Sequence, residues 1–245
     1  RILDLTERIL STFDFNHYEI NLSTRPEKSI GSEAVWELAT NGLTEALQRK
    51  GWNYKIDEGG GAFYGPKIDL KIEDAIGRMW QCSTIQLDFN LPERFGLDYV
   101  AADGSKQQPI MIHRAIFGSL ERFFGIMTEN YAGDFPFWLA PEQIRLLPVT
   151  DDVQPYAEQL LDQLKSAGIR ATIDQSGDRL GKIIRTGEQM KIPVLAVIGA
   201  KEAEQNAVSL RSRRDGDLGV TSFEALLKAA QQANSERQPG LGLNP

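Results

Sequence analysis

The sequence predicts two domains in tandem: an α+β region built on an antiparallel sheet carrying helices, then an α/β region built on a parallel sheet. Three observations predict this. Apolar and charged residues alternate through residues 68–72, a second strand-like run covers residues 80–89, and the short turn at 74–77 joins them, so antiparallel pairing is the natural arrangement. After Trp138-Leu139-Ala140-Pro141 the pattern becomes strand, helix, strand, helix, strand, the order of a parallel sheet with right-handed crossovers. The 245 residues, 41% hydrophobic and 25% charged, suffice for two such cores.

Taken in order, Ile2, Leu3, Leu5, Ile9, Leu10 and Phe13 follow helical spacing from the first residues, so the chain reads as starting in mid-structure. Residues 17–22 alternate with period two and predict a strand. Ser32 caps a helix running to Lys50, with Trp36, Leu43 and Leu47 on one face and Gly51 as its stop. Residues 52–58 predict another strand, and Gly59-Gly60-Gly61 breaks regular structure. A helix rich in Ile, Leu and Phe is expected over 112–129. In the second region, strands are expected at 144–149, 169–173, 194–198 and 208–211. Helices are expected from Asp152 and Pro155 to Gly168, over 180–190 and over 223–233. The resulting borders are 1–139, 140–237 and a Gly- and Pro-rich tail, 238–245, expected to be flexible.

A net charge of −7 and a pI near 5.0 exclude nucleic-acid binding through overall charge, so any RNA contact must be local. One cysteine, Cys82, rules out an internal disulfide and fits a reducing compartment, with cytoplasm expected. No run approaches the length and apolarity of a membrane span, and no membrane association is expected.

Alternation along residues 80–89 sends Cys82, Thr84, Gln86 and Asp88 to one face, small or hydrogen-bonding groups that suit a ligand surface or a solvated sheet equally. Nearby, the glycines of Gly61-Ala62-Phe63-Tyr64-Gly65-Pro66-Lys67 permit close backbone approach, and Tyr64 and Lys67 are placed to meet an anion. His113 and Arg114 precede the expected helix, on which Arg122 sits among Leu120, Phe123 and Phe124. A guanidinium there needs a carboxylate, a phosphate or a planar ring, and Glu121 is one candidate. There is no Walker-type loop, CxxC pair, paired-His zinc spacing or nucleophile elbow.

Five blocks in order carry a more specific signal: Leu22 to Lys28 (LSTRPEK), Gly61 to Asp69 (GAFYGPKID), Trp80 to Phe89 (WQCSTIQLDF), Met111 to Phe123 (MIHRAIFGSLERF) and Trp138 to Pro141 (WLAP). They resemble the threonyl-tRNA synthetase family of class IIa aminoacyl-tRNA synthetases. The resemblance implies the C-terminal portion of a class II catalytic domain over 1–139 and an anticodon-binding domain over 140–237. The implied activity is ATP- and magnesium-dependent activation of threonine, followed by transfer to the 3′ end of its tRNA. By the same resemblance Tyr64, Gln81, Cys82, Thr84, Gln86 and Arg122 line the adenylate pocket, Arg122 and Lys67 serve catalysis, and His113 is one ligand of a zinc ion. A metal that demands a hydroxyl separates threonine from isosteric valine, which an apolar pocket does poorly. Glu202 and Arg211 correspond to positions that read anticodon bases. The neighbouring Arg213 and Arg214 supply local positive charge suited to holding the RNA backbone, or form a solvated basic hairpin.

Ser83 stands where the family pattern expects glycine, and Gly177 where an anticodon-contacting Asn is usual. Motif 1, which builds the family's homodimer interface, and motif 2, whose arginine holds the α-phosphate, are expected upstream of Arg1, as is any editing domain, so this polypeptide alone is expected to be inactive. The other reading is a non-catalytic paralogue or a tRNA-binding, regulatory module, which a genuine start codon near Arg1 would support. A prolyl or seryl synthetase is weaker, because the position of His113 and the Tyr64–Lys67 block favour the threonyl member.

Overall fold

The computed structural model describes residues 1–243, which divide after Asn130 into two compact units. In the first unit, α1 (Ile2–Thr12) buries Leu3 and Leu10, and β1 (Tyr18–Ser23) follows. The helix α2 (Glu33–Lys50) starts where the Ser32 hydroxyl accepts from the Val35 amide and stops where Gly51 turns left-handed at φ 70°. Its buried stripe is Trp36, Ala39, Leu43 and Leu47. Then come β2 (Lys55–Asp57), β3 (Lys67–Glu73), β4 (Met79–Asp88), the short α3 (Asn90–Arg94), a hairpin of β5 (Tyr99–Val100) and β6 (Lys106–Gln107), β7 (Met111–Ala115) and α4 (Leu120–Asn130).

The main sheet runs β2-β1-β3-β4-β7. All its ladders are antiparallel except β1 with β2, which is parallel, so the sheet is mixed. Ile20 and Leu22 pair with Leu70 and Ile68, which pair with Ser83 and Ile85, and these form the buried face. Alternation sends Lys67, Asp69, Thr84 and Gln86 to the other face.

The expected helix over 112–129 is corrected: residues 111–115 form β7, hydrogen-bonded to β4 with His113 opposite Gln86. Gly118, at φ 72°, separates this strand from α4, and the Ser119 hydroxyl accepts from the Arg122 amide to start the helix. Both stretches are apolar enough for either state, and cross-strand partners decided between them.

In the second unit, from Tyr131 onward, β8 (Ile144–Pro148) leads through a 3-10 turn to α5 (Gln154–Ser166), β9 (Ala171–Ile173), α6 (Leu180–Gln189) and β10 (Val194–Ile198). The short α7 (Ala200–Glu204), β11 (Ala207–Ser212), β12 (Gly216–Ser222) and α8 (Phe223–Ser235) complete it. The sheet order is β12-β11-β10-β8-β9, parallel through β9, β8 and β10 and antiparallel through β11 and β12. Leu160 and Leu164 of α5 and Leu226 and Ala230 of α8 join Ile144, Leu146 and Ala196 in one core, while Ile183 of α6 packs with Leu147 and Leu195 in another. The strand β12 escapes sequence reading because Gly216 and Gly219 give it the look of a turn.

The expected border after residue 139 falls inside this unit. Of the segment 238–245 expected to be a flexible tail, Leu241 is buried in the larger core and the Pro239 carbonyl accepts from the Phe137 amide, whereas Asn244 and Pro245 lie outside the described residues.

Candidate active site

The polar face of β3 and β4 is the floor of a cleft of about 570 Å³, lined by Gly60, Gly61, Ala62, Tyr64, Lys67, Gln81, Thr84, Gln86, His113, Arg114 and Ala115. Two glycines allow its wall to sit this close. A Cβ on Gly61 would meet the Thr24 carbonyl oxygen at 2.4 Å, and one on Gly65 would meet the Leu87 carbonyl oxygen at 1.9 Å.

The strand β4 does not alternate simply. Leu70 pairs with Ser83 but Lys71 pairs with Gln81, so Cys82 is the extra residue of a β-bulge. The bulge returns Gln81 to the face of Thr84 and Gln86, while Cys82 is buried. Strict alternation had placed Cys82 on that face, and a single inserted residue reverses it. Burial pushes the Cys82 thiol upward, against a smaller pull from Arg122, and keeps it protonated.

Asp69, buried and missed by sequence reading, holds the floor together. Its Oδ1 accepts from Gln81 Nε2 at 2.6 Å and Thr84 Oγ1 at 2.7 Å, and its Oδ2 pairs with the Lys67 ammonium. Hydrogen bonds to a charged acceptor are worth roughly 1.5–3 kcal/mol each, enough to compensate for burying a carboxylate. The available signal was spacing: Asp69 lies two residues after Lys67 on one strand, hence on the same face.

Tyr64 donates its hydroxyl to Gln86 Oε1 at 3.1 Å, and its ring meets that of His113 edge-on at 6.3 Å. His113 Nε2 donates to the buried Asp88 at 2.8 Å. Burial alone would raise the Asp88 carboxyl, but the bonds from His113 and from the Leu91 and Asn90 amides outweigh it and hold the group below the usual carboxylate range. Among the described residues no group of three or more His, Cys, Asp or Glu side chains converges as metal ligands.

Arg122 does not line this cleft. Its guanidinium lies over the Trp80 ring at 5.7 Å and donates to the Gln81 carbonyl at 2.9 Å, so its partners are a ring and a backbone oxygen rather than Glu121. Arg78 lies over the same ring at 5.4 Å, and the buried Asp74 binds both Arg78 and the Trp80 indole. Ser83 donates to the Ile116 carbonyl and ties β4 to the loop before α4.

In the second unit, Glu202 accepts from the Gly199 amide at 3.0 Å and so caps its own helix. Arg211 is part-exposed and reaches Glu188 and Asp217 only at 3.8 Å. Arg213, expected to hold RNA backbone, is instead engaged by Asp134 at 2.8 Å and the Glu188 carbonyl at 2.5 Å.

Residues 1–131 match the family model described as "tRNA synthetase class II core domain (G, H, P, S and T)". The chain belongs to this class II synthetase family. Residues 143–233 match the model described as "Anticodon binding domain". The chain is 96% identical over 245 residues to the threonine–tRNA ligase of Synechococcus sp. (strain CC9902), covering 100% of this chain and 40% of that protein. It is 58% identical over 226 residues to the chloroplastic/mitochondrial threonine–tRNA ligase 2 of Arabidopsis thaliana, covering 92% and 35%. Among solved structures it is similar to the RNA binding domain of threonyl-tRNA synthetase from Cryptosporidium parvum Iowa II, with a TM-score of 0.89, 35% identity and coverage of 98% of this chain and 59% of that one. The chain thus spans about 40% of the length of the curated relatives it matches, such as the Synechococcus ligase above. No helix among the described residues is long and apolar enough to cross a membrane.

Proposed function

We propose that this chain contributes the adenylate-binding cleft and the anticodon-binding unit of a threonine–tRNA ligase, which activates threonine with ATP and magnesium and charges its tRNA. The observation that carries this reading is the convergence of Tyr64, Lys67, Gln81, Thr84, Gln86 and His113 on one cleft, from segments spread over two strands, a loop and an edge strand. In this reading Arg122 and Lys67 supply positive charge for the phosphates, and the polar floor positions the adenylate without any protein nucleophile. His113 contributes one ligand to a zinc ion whose remaining ligands come from outside this chain. Glu202 and Arg211 read anticodon bases, the working protein is a cytoplasmic homodimer, and the 245-residue polypeptide alone does not activate threonine.

The test is threonine-dependent exchange of pyrophosphate into ATP, with zinc present, by this polypeptide and by a protein carrying the full length of the relatives. Activity confined to the longer protein is the expected result. Absence of activity in both would remove the ligase reading and favour a tRNA-binding module.

A further inference from the structure

We propose that Asp69 is a positioning residue that sets the polarity of the cleft floor, making Gln81 and Thr84 hydrogen-bond acceptors toward the ligand. The floor then recognises a donor on the substrate, either a ribose hydroxyl of ATP or the ammonium of the amino acid; this deepens the ligase reading and rests on it.

The polarity follows from counting donors. An ionised carboxylate only accepts, so Thr84 must give its single hydroxyl proton to Asp69 Oδ1, 2.7 Å away. Gln81 Nε2 has two protons, and both are committed: one to Asp69 Oδ1 at 2.6 Å, the other to Thr84 Oγ1 at 3.0 Å. What Gln81 leaves for a ligand is its Oε1, and Thr84 keeps a lone pair. Both residues line the cleft, whereas Asp69 is buried beneath them. Across the ladder from Asp69, Asn21 is also buried, and its Oδ1 has no partner among the described residues. Lys67, held by Asp69, is a cation on the same strand of the cleft floor. Asparagine at 69 would present an NH2 donor, release Lys67 and allow Gln81 and Thr84 to turn their donors outward.

The experiment has two arms. In the full-length protein, Asp69→Asn is expected to raise one Michaelis constant in pyrophosphate exchange about tenfold and leave the other within about twofold, as for loss of one substrate hydrogen bond. A rise for ATP identifies the ribose hydroxyl as the donor, and a rise for threonine identifies the ammonium. Gln81→Met should raise the same constant, and in its background Asp69→Asn should add less than about twofold, because both act on one contact. Equal constants in wild type and Asp69→Asn, or additive losses, would overturn the inference. If Asp69→Asn does not fold, an unchanged pair of constants in Gln81→Met overturns it alone. The second arm needs no activity: in the nitrogen-15 spectrum of this 245-residue chain, the Gln81 side-chain amide, assigned by its absence in Gln81→Met, should shift on Asp69→Asn or Thr84→Val. An unmoved amide would overturn the positioning role, while an inactive wild type with a shifted amide would sink only the ligase reading.

Discussion

The cleft of the first unit and the Glu202 and Arg211 positions of the second are both expected to meet ligand, yet their side chains are held differently. In the cleft, Tyr64, Gln81, Thr84 and His113 are joined by bonds of 2.6–3.1 Å to Gln86, Asp69 and Asp88, two of the three anchored carboxylates or amides being buried. In the second unit, Arg211 has only part-exposed pairs at 3.8 Å, and Glu202 bonds to a backbone amide of its own turn. A small ligand rewards groups fixed before it arrives. A large polyanion is met instead by charges whose present partners are weak enough to exchange.

Four measurements break or sharpen that contrast. The largest expected effect is from Arg122→Ala in the full-length protein: pyrophosphate exchange should fall about 10²–10³-fold, the usual loss on deleting a group that stabilises developing charge, with tRNA affinity unchanged. An exchange rate near wild type would separate Arg122, resting on Trp80, from the chemistry. Next, Gly65→Ala in the cleft wall should destabilise by about 2–4 kcal/mol in denaturant titration, because the added Cβ meets backbone that cannot yield. Gly181→Ala in α6 meets nothing within 4 Å and should be neutral or stabilise by up to about 1 kcal/mol. Similar effects at both sites would erase the difference in rigidity.

Arg211→Ala should weaken tRNA binding about tenfold and leave pyrophosphate exchange intact, since one side-chain contact to a base is worth about 1–3 kcal/mol. A fall in exchange of the same size would show that Arg211 serves more than RNA. The smallest effect concerns acid. Asp88 has a lowered native value, so its ionic contribution to stability is present above the unfolded carboxylate value and is lost as pH falls below about 4. Asp88→Asn should flatten the decline of unfolding midpoint with acid in that window, and an unchanged slope would mean that His113 gives Asp88 no net ionic stabilisation.

Composition, order of elements and local punctuation were legible directly. The cap at Ser32, the stop at Gly51 and the switch from antiparallel to parallel pairing each depend on residues close in sequence. Most of the cleft was legible too, because Lys67, Thr84 and Gln86 sit on two strands joined by a short turn, and Tyr64 lies three residues before Lys67. What local pattern missed depends on distant partners. Residues 112–115 are a strand because β4 offers them an edge, and Arg122 lies over Trp80, 42 residues away in sequence, and donates to the Gln81 carbonyl.

By itself, then, the sequence determined which polar residue types were present, where several helices begin and end, and that a strand pair would carry the polar face. Tertiary structure alone decided which of Gln81 and Cys82 faces the cleft and that Asp69 bonds to both Gln81 and Thr84. The reason is geometric: side-chain direction in a strand has period two, so one unpaired residue reverses every position beyond it, and only the register with β3 records where that residue lies.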